Sequence, residues 1–361
     1  MTNQDRPTIY LSDYQPPAFL IDHVELEFKL HPTKTRVLSK IKFRKNPSSQ
    51  KTDFFLFGEE LKLISSQING VDVKPQLSSS GLSCDVPDTP FTWQAEVEIN
   101  PSSNTELSGL YMSNGMFCTQ CEPEGFRRIT YYPDRPDVMA PFDVTIHSEL
   151  PHTLSNGEPL GRKKNTSKWH DPWPKPSYLF ALVGGTFEVF SDDFTTMSGK
   201  RVDLNIYVRK GDEDKCTFAM ESLQSSMRWD EENYNREYDL SVFNIVAVDD
   251  FNMGAMENKG LNIFNSSAVL ASAQTSVDRN FESIEAIIAH EYFHNWTGNR
   301  ITCRDWFQLS LKEGLTVFRD QEFSADMRNT DVRRIEDVKA LRNRQFREDN
   351  GPLAHSVRPE S

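Results

Sequence analysis

The residues best suited to chemistry are two histidines and two glutamates between positions 290 and 313. His290 and His294 are four residues apart, so on a helix both imidazoles lie on one face and can reach the same metal ion. Glu291 stands between them, and Glu313 follows His294 after eighteen intervening residues. Two histidines and a distant carboxylate form a known set of three zinc ligands, which leaves a fourth position for water. The spacing therefore predicts a hydrolytic zinc site, with one Zn²⁺ per chain held by His290, His294 and Glu313.

The elements around these residues must present them to one ion. Residues 279–299 carry isoleucines on one apolar face and Gly298 near a plausible stop, which predicts a helix. A second helix is predicted from about residue 305 to 323, and it carries Glu313. Two turns further along that helix, Asp320 is a candidate to orient a ligating histidine.

A purely structural role for some of these residues stays open. The pattern H-E-x-x-H also arises by chance in unrelated chains. Ser310 and Glu313 match a capping box, in which a serine and the residue three positions later satisfy amides at a helix start. The helical context of the two histidines favours the zinc site. Glu291 is then the candidate general base, because a carboxylate beside a zinc-activated water can accept its proton at neutral pH.

Composition and charge restrict the compartment and the partners. Lys plus Arg is 40 and Asp plus Glu is 53, and the net charge of −13 argues against nucleic acid and anionic membranes as partners. The chain has no basic start followed by an apolar stretch and no apolar run of membrane-spanning length. Five cysteines, an odd number, fit a reducing compartment better than a disulfide framework. These features predict a cytoplasmic, soluble protein without membrane insertion.

Hydrophobic periodicity divides the chain into two parts. Apolar and charged residues alternate over 24–30, and similar short runs separated by turns follow, which predicts an antiparallel sheet domain over residues 1–187. Within it, the proline-rich residues 162–176 are expected to form a surface excursion. Beyond the boundary, strand-like segments flank a helical stretch near 214–236. We predict a multidomain α+β protein, in which a mixed α and β domain at 188–361 follows the N-terminal β domain.

Further motifs resemble a known family. The residues that carry the resemblance, beside the zinc motif and Glu313, are Gly254, Ala255, Met256, Glu257 and Asn258, the segment that starts Thr119, Gln120, Cys121 and Glu122, and residues 302–323. Together they resemble the gluzincin aminopeptidases. The longer matching stretches resemble the bacterial aminopeptidase N (alanyl aminopeptidase) branch of that family. The likeness covers nearly the whole chain and is loosest in residues 1–110 and 160–176.

This resemblance implies a fold and an activity. The implied fold is a saddle-like N-terminal β domain followed by a thermolysin-like catalytic domain. The implied activity is that of a zinc metallo-aminopeptidase. Such a hydrolase acts in proteolysis and peptide catabolism, and its substrates are peptides with a free N-terminal amine. His290, His294 and Glu313 would hold the zinc, and Glu291 would be the catalytic glutamate.

The resemblance also assigns substrate-binding residues. They are Gln120, Glu122, Gly254, Ala255, Met256, Glu257 and Asn258. Glu257 and Glu122 would hold the substrate amine, with Gln120 alongside. Met256 would line the pocket for the first side chain, and the neighbouring backbone would hold the peptide.

Members of this family are longer and carry a downstream tyrosine that stabilises the oxyanion. The sequence is therefore expected to be incomplete within the catalytic domain, with turnover at least about 10²-fold below a full-length relative. Two other classes of function stay open. One is a zinc endopeptidase, which does not need amine-binding glutamates, and the other is an impaired fragment that binds zinc or peptide without turnover.

Overall fold

The structure is a computed structural model that describes residues 8–361, and strands dominate its first part while helices dominate its last. In chain order the strands are β1 (Phe19–Lys29), β2 (Thr35–Lys45), β3 (Phe55–Phe57), β4 (Lys62–Ile68), β5 (Val71–Asp72), β6 (Gln76–Ser78), β7 (Gly81–Ser83), β8 (Phe91–Ile99), β9 (Gly109–Ser113), β10 (Met116–Gln120), β11 (Met139–His147), β12 (His152–Ser155), β13 (Glu158–Lys163), β14 (Thr166–Pro176), β15 (Leu182–Gly185), β16 (Glu188–Thr195), β17 (Arg201–Val208), β18 (Val242–Val248), β19 (Ala255–Met256) and β20 (Leu261–Asn265). The α-helices are α1 (Thr217–Tyr234), α2 (Asp278–Phe293), α3 (Leu315–Met327), α4 (Thr330–Asn343) and α5 (Gln345–Asp349).

The first part is built on a large sheet in the order β13-β14-β11-β1-β2-β8-β4-β5. Its pairs are antiparallel, apart from the parallel pair of β1 with β11. The period-two pattern of β1 buries Val24, Leu26 and Phe28 on one face. A smaller sheet, in the order β12-β15-β10-β9, carries Gln120 at the end of β10 towards the second part.

The second part has a sheet in the order β16-β17-β18-β20-β19, with α1 and α2 packed against each other beside it. Strand β18 lies between its parallel neighbours β17 and β20 and is buried on both faces, which is consistent with its being apolar almost throughout. The predicted α+β class is confirmed. The division at residue 187, which lies between β15 and β16, stays a prediction.

Three local expectations differ from the structure. Residues 166–176 are a strand rather than a surface excursion. The helix predicted over 279–299 ends at Phe293, before Gly298. The helix predicted from about 305 begins as an α-helix only at Leu315, after a 3₁₀ turn and a π-helical turn.

The prolines of β14 are tolerated for a reason that lies in its neighbours. Strand β13 pairs with β14 only up to His170, so the prolines beyond it lie along an open edge. On the other side, the register with β11 shifts between Ala140 and Phe142, and such a bulge leaves residues unpaired.

In the described part of the chain, no helix is both long and apolar enough to cross a membrane.

Candidate metal centre

The two histidines are positioned by the C-terminal end of α2. His290 lies in the last turn of this helix, and His294 directly follows its last residue, Phe293. The buried guanidinium of Arg319 on α3 donates a hydrogen bond to the carbonyl of Phe293 at 3.0 Å and also contacts the buried Asp230 on α1. This side chain therefore ties three helices together behind the histidines, at the end of α2.

Glu313 is presented by the π-helical turn Ser310–Gly314. Such a turn holds one more residue than an α-helical turn and is frequent at functional sites. No side-chain hydrogen bond caps the start of this turn in the described structure, so the capping box considered for Ser310 is not formed. The turn brings the Glu313 carboxylate to the two histidines.

Three ligand atoms converge in what we call the metal triangle: His290 Nε2, His294 Nε2 and Glu313 Oε2. The two ring nitrogens are 3.0 Å apart, and they lie 3.3 Å and 3.5 Å from the carboxylate oxygen. In a tetrahedral site with bonds of about 2.0–2.1 Å, neighbouring ligand atoms are separated by about 3.3 Å. The geometry of the triangle fits a zinc ion.

The Nδ1 atoms of the two histidines are hydrogen-bonded in a way that points both Nε2 atoms into the metal triangle. His290 Nδ1 lies 2.7 Å from Asp320 Oδ2, and His294 Nδ1 lies 2.8 Å from the carbonyl oxygen of Thr297. Both partners are acceptors, so each Nδ1 carries a proton and each Nε2 is left with a lone pair for a metal. Asp320 thus occupies the position that the sequence suggested for an orienting carboxylate.

The electrostatics of the triangle favour a cation. Burial lowers the pKa of His290, but hydrogen bonds with Asp320 and Glu313 outweigh burial and raise it to about 10. Burial raises the pKa of Glu313, yet both histidines hold it well below its usual range. A proton or a metal ion between these groups is therefore strongly favoured.

Glu291 points to the same space from inside the protein. Burial raises its pKa to about 8, and the charge of His290 opposes this rise. Its Oε2 atom is buried and accepts no hydrogen bond from residues 8–361. An unpartnered carboxylate oxygen costs free energy when buried, so such atoms in proteins are usually found where a ligand or water binds.

Beside the triangle lies a second cluster, which we call the acid pocket: the carboxylates of Glu122, Glu257 and Glu313 around the ammonium of Lys312. Lys312 Nζ lies 2.7 Å, 2.6 Å and 2.8 Å from one oxygen of each carboxylate, in that order. Burial and the charge of Glu257 raise the pKa of Glu122 to about 7. Burial also raises the pKa of Glu257, but Lys312 outweighs it, and the pKa stays below its ordinary value.

Gln120 and Met256 lie at the wall of the acid pocket. Gln120 Nε2 is 3.4 Å from the carbonyl oxygen of Glu122 and 3.8 Å from Met256 Sδ. Its Oε1 atom is buried and accepts no hydrogen bond within the described residues. The Asn299 amide donates to the backbone carbonyl of Glu257 at 2.8 Å and so fixes the loop that carries this glutamate.

The remaining predicted residues form the edge of a sheet. Ala255 and Met256 make up β19, which pairs with β20 on one side and lies last in its sheet. A side chain added at Gly254 would meet nothing within 4 Å, so open space lies beside this residue. Asn258 is buried, and both polar atoms of its side chain lack a partner in the described part of the chain.

The structure thus brings together the predicted zinc ligands, Glu291, the two glutamates of the acid pocket, Gln120 and Met256, while Gly254, Ala255 and Asn258 adjoin them in the chain. Lys312 was not among them, and it is the group that the sequence analysis missed. Its only sequence signal is its place next to Glu313. That signal is weak, because a lysine beside a ligand is ordinarily a solvated side chain. Arg319 and Asp230 were also missed, since their contact depends on helix packing.

Comparisons with known proteins give a consistent result. Residues 218–360 match the Peptidase family M1 domain, and residues 20–179 match the Peptidase M1 N-terminal domain. The chain is 55% identical over 364 residues to Aminopeptidase N of Caulobacter vibrioides, covering 98% of this chain and 42% of that protein. It is 50% identical over 370 residues to Aminopeptidase N of Escherichia coli, covering 100% of this chain and 42% of that one.

A solved structure is similar over most of the chain. It is that of Legionella pneumophila aminopeptidase A in complex with aspartic acid, with a TM-score of 0.87 and 36% identity. The match covers 91% of this chain and 40% of the Legionella chain. The sequence therefore spans about two fifths of the length of these relatives.

Proposed function

Since the chain belongs to peptidase family M1, we propose that it provides the zinc centre and the amine-binding pocket of an aminopeptidase, which removes the first residue from peptides. The observation that carries this proposal is the contact between two clusters. A triangle sized for zinc shares Glu313 with a pocket of carboxylates, so a metal and a cationic group can be bound side by side.

The metal would be held by His290, His294 and Glu313. Zinc at this position supplies Lewis-acid chemistry, lowering the pKa of water to about 7 and polarising a carbonyl group. The protein's part is to hold the ligands in place. Asp320 and the carbonyl of Thr297 fix both imidazole rings in the tautomer that leaves Nε2 free.

Glu291 would move the proton. Its unpartnered Oε2 accepts a proton from the attacking water while the water oxygen bonds to the scissile carbonyl carbon. When the carbon–nitrogen bond breaks, the same carboxyl group returns this proton to the leaving amine. Burial favours this role, because a carboxylate without water around it gains and loses a proton near neutral pH.

The acid pocket would select the substrate. Glu122 and Glu257 bind the ammonium of a free amino terminus, and an internal peptide bond offers them no such cation. The open edge of β19 offers backbone groups for an extended peptide, as in strand addition to a sheet edge. Met256 beside Gln120 would line the pocket for the first side chain.

The two alternatives differ in what they require. A zinc endopeptidase needs the metal triangle but gains nothing from a carboxylate pocket that closes around an ammonium ion. A module that binds zinc or peptide without turnover would share the zinc site and fail only in catalysis. The cytoplasmic location expected from the composition stays a prediction.

The test uses the chain itself and a chimera that continues it with the remainder of the Caulobacter vibrioides relative. We expect about one zinc per chain and, in the chimera, hydrolysis of alanine and arginine amides that is lost in Glu291→Ala. Acetylation of the substrate amine should abolish cleavage. Efficient cleavage of amino-blocked peptides at internal bonds would contradict the aminopeptidase and support the endopeptidase, and zinc binding without any turnover would support the non-catalytic module.

A further inference from the structure

Lys312 places a fixed positive charge at the floor of the acid pocket. Its side chain is 1% exposed, and its ammonium touches a carboxylate oxygen of Glu122, Glu257 and Glu313. An ammonium in contact with three carboxylates is held in place by them.

The stem of this lysine is held by packing as well as by charge. It lies against Gly298, where an added Cβ would be 3.2 Å from Lys312 Cγ and 2.9 Å from His294 Nδ1. Its ammonium is 5.4 Å from the ring centre of the buried Tyr178. The lysine therefore enters the pocket from the protein side and is a resident part of it, rather than a surface side chain that swings in.

Lys312 occupies one oxygen of each carboxylate and leaves the other. It contacts Oε1 of Glu122 and Oε1 of Glu257, and each of these carboxylates has a second oxygen, Oε2, as a further acceptor. Glu313 is divided in the same way, with Oε1 on the lysine and Oε2 on the two histidines. We call the Oε1 atoms, which contact the lysine, the inner oxygens, and the Oε2 atoms of Glu122 and Glu257 the outer oxygens.

We propose that Lys312 is a positioning residue that sets how deep the substrate amine can bind, by filling the inner cation position so that the substrate ammonium is held on the outer oxygens of Glu122 and Glu257. This inference rests on the proposed aminopeptidase function. Three carboxylates whose oxygens lie within 4.8 Å of one another attract any monocation that can reach them. Without the lysine, the substrate ammonium would sink into the inner position and draw the scissile carbonyl away from the metal triangle.

The consequence for catalysis is a separation of binding from turnover. An amine that sinks deeper still meets carboxylates, so its binding is retained or strengthened. The reacting carbonyl is displaced, and a misplacement near 1 Å can cost about 10²-fold in rate. A lysine that merely stabilised the fold would affect both quantities through loss of folded protein.

The first test replaces Lys312 by Met, which keeps most of the volume and removes the charge, in the zinc-loaded chimera. We expect one zinc per chain, a KM for alanine amide that is unchanged or lower, and a kcat reduced about 10²-fold. The matched control is Lys175→Met, because Lys175 is equally buried and pairs with Asp171 at 3.0 Å on β14. The control should lose thermal stability while keeping kcat and KM.

The second test restores the missing cation. Lys312→Ala removes three carbons and the ammonium, so propylammonium has the size and charge of the deleted group. We expect propylammonium to raise the kcat of this variant and to leave the unmodified chimera unaffected. Calorimetric titration of the zinc-loaded variant should show one bound propylammonium that the unmodified protein does not bind, and this readout needs no turnover.

Several results would overturn the proposal. One is an unchanged kcat in Lys312→Met. A second is the loss of zinc in that variant, which would mean that the lysine serves only the ligand Glu313. A third is that Lys312→Ala neither binds propylammonium nor is rescued by it. If the unmodified chimera has no aminopeptidase activity, the proposed function fails, and the propylammonium titration still decides whether Lys312 fills a cation position.

Discussion

Replacing Asp320 by Asn tests whether the carboxylate behind His290 strengthens metal binding. Asp320 Oδ2 lies 2.7 Å from His290 Nδ1, and the side chain is 12% exposed. The amide oxygen of Asn can accept the same hydrogen bond, so the ring should keep its tautomer and orientation. The substitution removes the negative charge that makes the imidazole a better ligand.

The expected effect follows from the strength of this hydrogen bond. A hydrogen bond to a charged group contributes about 1.5–3 kcal/mol and a neutral one about 1 kcal/mol, so the loss is about 0.5–2 kcal/mol. This corresponds to a zinc Kd that is about tenfold higher, at the lower end of the 10–100-fold range for groups behind metal ligands. At a zinc concentration of about 100 times the original Kd, the stabilisation by zinc should fall from about 2.7 to about 1.4 kcal/mol.

The assay is competition for zinc against a chelator of known affinity, together with thermal unfolding of the zinc-free and zinc-loaded chain. The control is Asp326→Asn, since Asp326 lies on the same helix and accepts a hydrogen bond from Trp229 Nε1 at 2.8 Å, away from the metal triangle. We expect its zinc Kd to be unchanged. A zinc Kd in Asp320→Asn equal to that of the original chain, or an equal loss in both variants, would refute the role given to Asp320.

The remaining predictions concern the two clusters. His294→Ala and Glu313→Ala should each reduce zinc from about one ion per folded chain to none, as measured by elemental analysis. Glu291→Gln should keep the zinc and lower kcat of the chimera by at least about 10²-fold in a steady-state assay. Glu257→Ala should lower kcat/KM for free-amine substrates by about 10- to 10²-fold, because a hydrogen bond to a charged group is lost. Gly298→Ala should weaken zinc binding in the same chelator competition and lower the free energy of unfolding by more than about 1 kcal/mol in a denaturant titration, since its φ of +137° and the nearby His294 ring leave no room for a Cβ.

Matched controls separate these effects from general damage. The control for Glu257→Ala is Glu124→Ala, which removes an exposed glutamate two residues after Glu122 that pairs with Arg127. Its kcat/KM should not change. Gly199→Ala adds a Cβ at a φ of +87° where nothing lies within 4 Å, so only the backbone strain of about 1 kcal/mol is expected and zinc binding should be unaffected. Undiminished zinc in both ligand variants, original turnover in Glu291→Gln, or equal losses in a variant and its control would contradict the corresponding prediction.

Much of the chain could be interpreted from its sequence because local patterns have local causes. The alternation over 24–30 predicts one wet and one buried face, and β1 follows this pattern. The helical stretches near 214–236 and 279–299 correspond to α1 and α2, although α2 ends earlier than predicted. The family and the α+β class are likewise confirmed, because the spacing of motifs survives as a linear pattern.

Other features depended on partners that are distant in the chain. Residues 162–176 are rich in proline and polar groups, yet much of this segment is a strand, because β13 ends beside it and β11 is bulged opposite it. At the end of α2, the Phe293 carbonyl accepts a hydrogen bond from Arg319, which lies on another helix. Neither partner can be identified from local propensity.

For the site itself, the sequence by itself determined the ligand types, since two histidines one helical turn apart must share a face whatever surrounds them. Only the tertiary structure decided the charge state and the shape of the space beside them. Glu122 comes from the loop after β10, Glu257 from the loop after β19 and Lys312 from a π-helical turn, and their meeting depends on how two sheets and a helix pack. Electrostatic interactions fall off with distance in space rather than along the chain, so the buried lysine among the carboxylates could not be read from residue spacing.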